Sequence, residues 1–361
     1  MSENQSLLDY LDRSIGALFH DAWRVTGGNP AQAAFFLKML RWQEQAGRTR
    51  RKWEAEGVHV PPFLIASITH RCNLQCVGCY ARAQHRRDEP ELSPDKFRSV
   101  LGEASELGVG MVLIAGGEPL TRPELLSVCV EYPRLMFPLF TNGMLIDDQR
   151  VAFFRRHRNL MPVISIEGHA GETDGRRGAG VHQHALALAR RLKSEGVAFG
   201  MSLTVTAANC STVTDRSFIN DLIDRGCRLF FFVEYVPVQE GTDALVLAAG
   251  QRLALRAAAA DFRARLPGLF ITFPGDEEEA GGCLAAGRGF VHISPAGRVE
   301  PCPFAPYSDA SLTEMSLKDA LQSNLLSAIR ANHDQLRETR SGCALWERRD
   351  WVRTLLPGGG E

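Results

Sequence analysis

The sequence predicts an α/β protein: a partial (β/α)6 TIM-like barrel, an N-terminal helical segment and a small C-terminal α+β domain. Three patterns predict this fold. Apolar residues recur at helical spacing in the first 57 residues, and short apolar runs then alternate six times with longer amphipathic segments. After about residue 271 a hairpin pattern replaces the alternation. The expected domains are therefore an N-terminal helical cap (1–57), the barrel (58–270) and a C-terminal domain (271–361).

The N-terminal segment predicts two helices. Leu7 and Leu11 lie on one helical stripe, Phe36 and Met39 lie on another, and the glycine-rich residues 27–30 separate them. A cap on the barrel is the leading interpretation. The alternative is a contact with a membrane surface, because the apolar run that includes Phe36 and Met39 precedes several arginines and also resembles an interfacial helix.

The barrel prediction rests on six short apolar runs. They are residues 63–68, 111–115, 137–140, 163–166, 199–205 and 229–236. Helix signals lie between them, such as Ser93-Pro94 at a start and Gly108 past an end. Strand–helix alternation implies parallel strands with right-handed crossovers, and six units are too few for the usual eight-fold barrel. We therefore expect an open barrel whose active site lies at the carboxyl ends of the strands.

Composition narrows the class of protein. Hydrophobic residues make up 45% and charged residues 23% of the 361 residues, and the net charge is −1, so nothing indicates a nucleic-acid partner. No apolar run approaches the ~20 residues that span a bilayer, and the first residues do not resemble a signal peptide. We expect a cytoplasmic protein, peripheral to the membrane if the N-terminal helices bind there. In that compartment the nine cysteines indicate metal binding or catalysis rather than disulfides.

Three cysteines, Cys72, Cys76 and Cys79, lie within eight residues just past the first predicted strand. Iron–sulfur clusters usually take four thiolates, so three would leave one iron open to bind a substrate. Zinc sites usually pair two CxxC units, which this spacing does not match. The alternatives are a zinc site or three unrelated thiols.

The spacing of this cysteine triad resembles that of the radical S-adenosylmethionine (AdoMet, SAM) superfamily. In that family a [4Fe–4S] cluster chelates AdoMet and splits it into methionine and a 5′-deoxyadenosyl radical, which abstracts hydrogen from a substrate. The resemblance implies [4Fe–4S] and AdoMet as cofactors and an electron donor such as ferredoxin or flavodoxin.

Later strand ends supply the expected AdoMet contacts. The sequence Gly116-Gly117-Glu118-Pro119 resembles the family's GGEP motif, and residues 164–168 resemble its SxEG segment. Together with neighbouring strand ends, the resemblance implies that AdoMet contacts Tyr80, Gly116, Gly117, Glu118, Pro119, Thr141, Asn142, Ser165, Glu167 and Arg177. A solvated loop arginine is an equally weighted alternative for Arg177.

One position departs from the family pattern. The residue before the third cysteine is commonly aromatic or histidine and packs near the adenine, but here it is Gly78. Tyr80 is the candidate to supply that surface instead.

The C-terminal region contains a second set of cysteines. Cys283 and Cys302 flank a predicted hairpin over residues 291–300, Cys343 follows later, and a helix is expected near residues 316–330. The pattern resembles the SPASM/twitch domains of radical AdoMet enzymes, and its few cysteines match the shorter twitch form. The resemblance implies an auxiliary [4Fe–4S] cluster with an open iron or a non-cysteine ligand such as Glu347; the alternative is buried thiols without a cluster.

The remaining cysteines, Cys129, Cys210 and Cys227, lack ligand-like spacing and are expected in the core. The sequence therefore predicts a radical AdoMet enzyme whose catalytic residues and substrate are not identified. The substrate is either a peptide or protein side chain, or a small or lipid-like metabolite. The alternative function is that of a non-catalytic iron–sulfur electron carrier.

Overall fold

The computed structural model describes residues 3–25, 29–84, 89–273, 282–336 and 343–356. Residues 27 and 28 of the predicted helix break therefore lie outside the described residues, whereas Asn29 caps α2 at Pro30. The strands are β1 Phe63–Ser67, β2 Met111–Ala115, β3 Phe137–Thr141, β4 Leu160–Ile166, β5 Gly200–Val205, β6 Leu229–Glu234, β7 Leu269–Phe273, β8 Phe290–Ile293 and β9 Val299–Glu300.

The described helices alternate with the barrel strands and then cluster near the C-terminus. They are α1 Glu3–Val25, α2 Pro30–Ala55, α3 Tyr80–Gln84, α4 Pro94–Leu107, α5 Pro123–Cys129, α6 Asp148–Arg156, α7 Ala170–Arg177, α8 Val181–Ser194, α9 Cys210–Val213, α10 Arg216–Asp224, α11 Ala249–Arg265, α12 Leu317–Ala320, α13 Asn324–Ala331, α14 Ala344–Glu347 and α15 Arg349–Thr354.

The described strands form one curled sheet in the order β7-β6-β5-β4-β3-β2-β1-β8-β9. Strands β1 to β7 are parallel in sequential order, and β8 adds in parallel to the free edge of β1. In the described ranges no ladder joins β7 to β8, so the barrel is open there, although the rings of Phe273 and Phe290 approach to 5.2 Å. This confirms the α/β partial barrel.

All six predicted strands are present, and β8 and β9 form the predicted hairpin. Two features differ from the predictions. Strand β7 was not expected and crosses the domain boundary drawn at residue 270. The helix expected near 316–330 is two helices, α12 and α13, because Ser323 leaves the helical conformation and its side chain caps the second one.

Helix α2 lies across the amino-terminal ends of the strands. The side chain of Gln43 donates to the carbonyl of Gly110 just before β2 (2.8 Å), and Arg50 donates to that of Gly108. Phe36 and Met39 are buried in a cluster with Met161 of β4 and other lumen side chains. The apolar side chains that suggested a membrane contact therefore pack against the barrel. None of the described helices is long and apolar enough to cross a membrane.

Candidate active site

The cysteine triad lies on the loop between β1 and α3, at the carboxyl ends of the barrel strands. Cys72, Cys76 and Cys79 all line a cavity of about 1010 Å³ inside the barrel. The loop is tied to α7, the helix that follows β4: the N–H of Val77 donates to the carbonyl of Arg176 at 3.0 Å. The structure thus places the triad where the parallel fold predicts an active site.

The GGEP segment packs directly against the triad loop. The N–H groups of Gly117 and Glu118 donate to the carbonyls of Thr69 and Arg71 at 2.8 and 2.7 Å. A Cβ on Gly117 would lie 2.1 Å from the Arg71 oxygen, closer than any side chain could come. Gly117 is therefore required by the close approach of the two loops, whether or not a ligand is bound.

Glu118 connects this segment to the end of β3. Its buried carboxylate accepts hydrogen bonds from the Leu120 N–H (3.0 Å), the Thr141 hydroxyl (2.8 Å) and the Asn142 N–H (2.9 Å). The Asn142 side chain in turn donates to Asn73, inside the triad loop, at 2.8 Å. Burial raises the pKa of the Glu118 carboxyl above its ordinary value, although these hydrogen bonds oppose the shift. Glu118, Thr141 and Asn142 thus form one network that fixes the triad loop.

Glu167 lies between two guanidinium groups. Arg176 donates to its Oε1 at 2.6 Å, and Arg177 donates to both carboxylate oxygens, at 2.7 Å to Oε1. Burial raises the pKa of Glu167, but the two guanidinium groups outweigh it, so the pKa lies below its ordinary value. The solvated-arginine alternative for Arg177 is wrong, because its side chain is only 9% exposed. Sequence reasoning missed Arg176, which lines the cavity with Ser165.

The same arginine reaches the triad. The Nη1 of Arg177 lies 4.0 Å from the Cys76 sulfur. Burial raises the pKa of the Cys76 thiol, and Arg177 followed by Arg176 partly opposes that shift. A cation beside a sulfur favours the thiolate, which is the form that binds metal.

Among the described residues, no three His, Cys, Asp or Glu side chains are grouped as they would be around one metal ion.

At position 78, a residue that is distant in sequence leaves room only for glycine. It has a φ of +65°, and a Cβ there would lie 2.5 Å from the hydroxyl oxygen of Tyr235. Tyr235 follows β6, lines the cavity, and donates its hydroxyl to Thr242 at 2.7 Å. The ring beside the triad at this position is therefore that of Tyr235.

Tyr80 faces the C-terminal region. Its ring packs edge-on against Phe304 at 5.4 Å, and burial raises the pKa of its phenol, with further contributions from Cys79 and Cys302. Tyr80 also lines the cavity.

A buried polar chain connects the triad strand to the C-terminal hairpin. Ser67, at the end of β1, lies 2.8 Å from Nε2 of His292 on β8, and Nδ1 of His292 lies 2.7 Å from Glu300 on β9. All three side chains are buried. Sequence reasoning missed this series of hydrogen-bonded side chains. The predicted hairpin does indicate part of it, because its register places His292 opposite Glu300.

The structure buries the C-terminal cysteines Cys283, Cys302 and Cys343 in the main core. Cys302 follows β9, and Pro303 and Phe304 beyond it line the same cavity as the triad. The second cysteine set therefore reaches the wall of the first site. The other three cysteines also lie in the core as expected: Cys129, Cys210 and Cys227.

Comparison with known proteins agrees with this geometry. Residues 66–208, which contain the triad, the GGEP segment and Glu167, match the model of the Radical SAM superfamily. The chain contains a radical SAM domain. The relatives and solved structures that it resembles are SPASM-type radical SAM enzymes.

Two curated relatives have different activities. The chain is 27% identical to a PqqA peptide cyclase of Gluconobacter oxydans over 67% of this chain and 70% of the relative. It is also 27% identical to an AdoMet-dependent heme synthase of Methanosarcina barkeri over 72% of this chain and 81% of the relative. Both relatives are enzymes, but their names do not agree on a substrate.

Solved structures share the fold. Streptococcus suis SuiB bound to S-adenosylmethionine matches with a TM-score of 0.63 at 18% identity, over 86% of this chain and 75% of SuiB. The enzyme anSMEcpe with bound AdoMet and the Cp18Cys peptide matches with a TM-score of 0.57 at 17% identity, over 73% of this chain and 81% of the other. At these identities the likeness concerns the fold alone.

Proposed function

We propose that this radical SAM protein is an enzyme that cleaves AdoMet and starts radical chemistry on a substrate bound in the barrel. The observation that carries the proposal is that one cavity is lined by the triad, by residues 116–118 of the GGEP segment and by the two arginines that pair with Glu167. When bound by Cys72, Cys76 and Cys79, a [4Fe–4S] cluster supplies the electron that cleaves AdoMet to methionine and a 5′-deoxyadenosyl radical, which abstracts hydrogen from the substrate.

The protein's own residues position the reactants. Gly116, Gly117 and Pro119 would lie along the methionine part of AdoMet, and Glu118 holds the end of β3 in place through Thr141 and Asn142. Because these contacts are internal to the protein, we infer that Glu118 acts mainly as a positioning residue.

The Glu167 group would bind at the other side of AdoMet. Ser165 lines the cavity and can hydrogen-bond the carboxylate or ribose. Arg177 is already paired with Glu167. The AdoMet carboxylate would therefore share the guanidinium of Arg177 with Glu167, on the side that lines the cavity. In place of Tyr80, we infer that the Tyr235 ring supplies the aromatic surface beside the triad, because it occupies the space over Gly78.

We also propose an auxiliary [4Fe–4S] cluster on Cys283, Cys302 and Cys343. The support is the burial of all three thiols and the approach of the Cys302 loop to the cavity wall. Glu347 remains a prediction for a further ligand, as do the domain boundaries, the cytoplasmic location, the membrane contact and a ferredoxin or flavodoxin donor.

An electron carrier is the alternative function, and it has no use for a cavity beside its cluster. The discriminating experiment is electron paramagnetic resonance of the anaerobically reconstituted, reduced protein with and without AdoMet. An enzyme with an open iron should show a changed cluster signal when AdoMet is added, whereas an unchanged signal would favour the carrier. Replacing Cys210 by alanine is the matched control, because Cys210 is a core thiol distant from the triad in sequence.

The auxiliary cluster is tested in a variant with Cys72, Cys76 and Cys79 all changed to alanine. About four irons should remain bound per chain. Loss of all iron from a variant that is still folded by circular dichroism would refute the second cluster.

A further inference from the structure

The interior of the barrel is unusually open. Closed β/α barrels normally fill their interior with layers of large side chains, so the interior is a packed core. Here the cavity continues from the triad down to the amino-terminal ends of the strands, where Phe63, Met111 and Leu229 line it. We call this part, below the level of the triad, the lower lumen.

The cavity is large enough for more than AdoMet. Pockets that hold one drug-sized ligand measure about 300–1,000 Å³, and this one measures about 1010 Å³. Small side chains line the passage between the triad and the lower lumen: Ala115 ends β2, and Ser165 of β4 pairs with Ser202 of β5. AdoMet at the triad would therefore leave room for a second molecule beneath it.

The strands give the lower lumen a largely apolar wall, with polar side chains at its amino-terminal end. The apolar lining side chains are Phe63, Met111, Met136, Met161, Leu229, Phe231, Leu269 and Ile271, and the polar ones include Asn29, Gln32, Lys193 and Arg228. Methionine adapts its shape to varied apolar ligands. Across the floor lie Phe36 of α2 and Ile15 of α1.

The charged side chains around the cavity are engaged within the protein. Glu234 pairs with Arg252 at 2.6 Å, and Glu167 pairs with both arginines described above. The backbone carbonyls of Ile223, Asp224 and Phe270 accept hydrogen bonds from Arg228, Lys193 and Arg263, respectively. A polar or ionic ligand would have to displace these contacts, whereas an apolar one would only displace water.

We propose that the lower lumen binds an elongate apolar part of the substrate, a hydrocarbon chain, with the carbon to be attacked held at the triad end. The chemical step rests on the proposed function, but binding of the chain does not. Strands of five residues rise about 3.3 Å per residue, so the lumen is roughly 16 Å long. A peptide side chain would occupy only the mouth of this space.

The binding test uses the reconstituted protein and a series of straight-chain alcohols, from octanol through dodecanol to hexadecanol. Each alcohol competes with the fluorescent probe 1-anilinonaphthalene-8-sulfonate. Affinity should rise about fourfold for each added CH₂ (~0.8 kcal/mol) until the chain fills the lumen, and then level off. Affinity that does not depend on chain length would overturn the proposal.

Two variants with opposite effects separate binding from general damage. Ser202→Phe fills the lumen midway and should shorten the longest alcohol that still gains affinity. Met111→Ala enlarges the amino-terminal end of the lumen and should allow longer alcohols to gain affinity. Ser99→Phe, on the exposed face of α4, is the matched control and should leave the series unchanged. The proposal fails if neither lumen variant changes the chain length at which affinity levels off.

Failure of this inference can be distinguished from failure of the proposed function. If AdoMet changes the cluster signal but no alcohol competes with the probe, the proposed enzymatic function is supported and the proposed hydrocarbon site is wrong. If the alcohols bind as predicted but AdoMet does not change the cluster signal, the hydrocarbon site is supported and the proposed chemistry is wrong.

Discussion

Replacing Glu167 by glutamine should strongly destabilise the protein. Glu167 is 1% exposed, and its carboxylate accepts hydrogen bonds from two arginines whose side chains are 15% and 9% exposed. Removing one partner of a buried ion pair typically costs 3–5 kcal/mol, because it leaves an uncompensated charge. Arg176 is the more exposed of the two and can regain some water, so we expect about 3 kcal/mol.

This loss should be visible in urea denaturation. With a slope of about 3 kcal/mol per molar urea, the midpoint should fall by ~1 M. Glu131→Gln is the matched control: that carboxylate forms an exposed ion pair with Arg98 at 2.8 Å, so the midpoint should not change measurably. An equal shift in both variants, or none in Glu167→Gln, would refute the account of the buried pair.

The destabilisation caused by Glu167→Gln should depend on pH. The folded-state pKa of Glu167 lies below its ordinary value of 4.5, so the carboxylate contributes stability that is present above about pH 4.5 and is lost as the pH falls through the folded value. The free energies of unfolding of wild type and variant should therefore converge in acid. A gap that stays constant down to the lowest pH at which both fold would contradict the assigned ionisation.

Three further predictions concern the loops and helices that hold the site. Gly117→Ala should reduce iron bound at the triad, because its Cβ would meet a carbonyl at 2.1 Å, whereas Gly171→Ala, with nothing within 4 Å, should not. Arg50→Met should lower the free energy of unfolding by roughly 2–3 kcal/mol and expose α1 to protease, because it frees a buried carbonyl and a carboxylate. His292→Phe in the triad-free variant should lose iron from the C-terminal cysteines, and full retention of iron there would refute a positioning role.

Local patterns made most of the fold predictable. Apolar runs of four to eight residues predict strands. The parallel order then places their carboxyl ends, with Cys72 and Gly116, at one edge. Strand β7 had a usable signal in the run Leu269–Phe273, which follows a Pro–Gly pair. It was missed because the change of pattern at residue 271 was read as a domain boundary.

Contacts between distant segments could not be predicted in this way. Nothing local to Gly78 indicates that the ring of Tyr235 lies over it. Arg176 and Arg177 are adjacent, so the sequence cannot tell which of them is buried, and both proved to pair with Glu167. These contacts depend on how the strand ends converge, which only the folded structure gives.

The central claim is that the triad supports cleavage of AdoMet. The most direct measurement incubates the anaerobically reconstituted protein with AdoMet and a strong reductant and quantifies 5′-deoxyadenosine and methionine. The account predicts that both products form with wild type and with Cys210→Ala but not with Cys76→Ala. Absence of 5′-deoxyadenosine from wild type that carries its iron, or its undiminished formation by Cys76→Ala, would contradict the account.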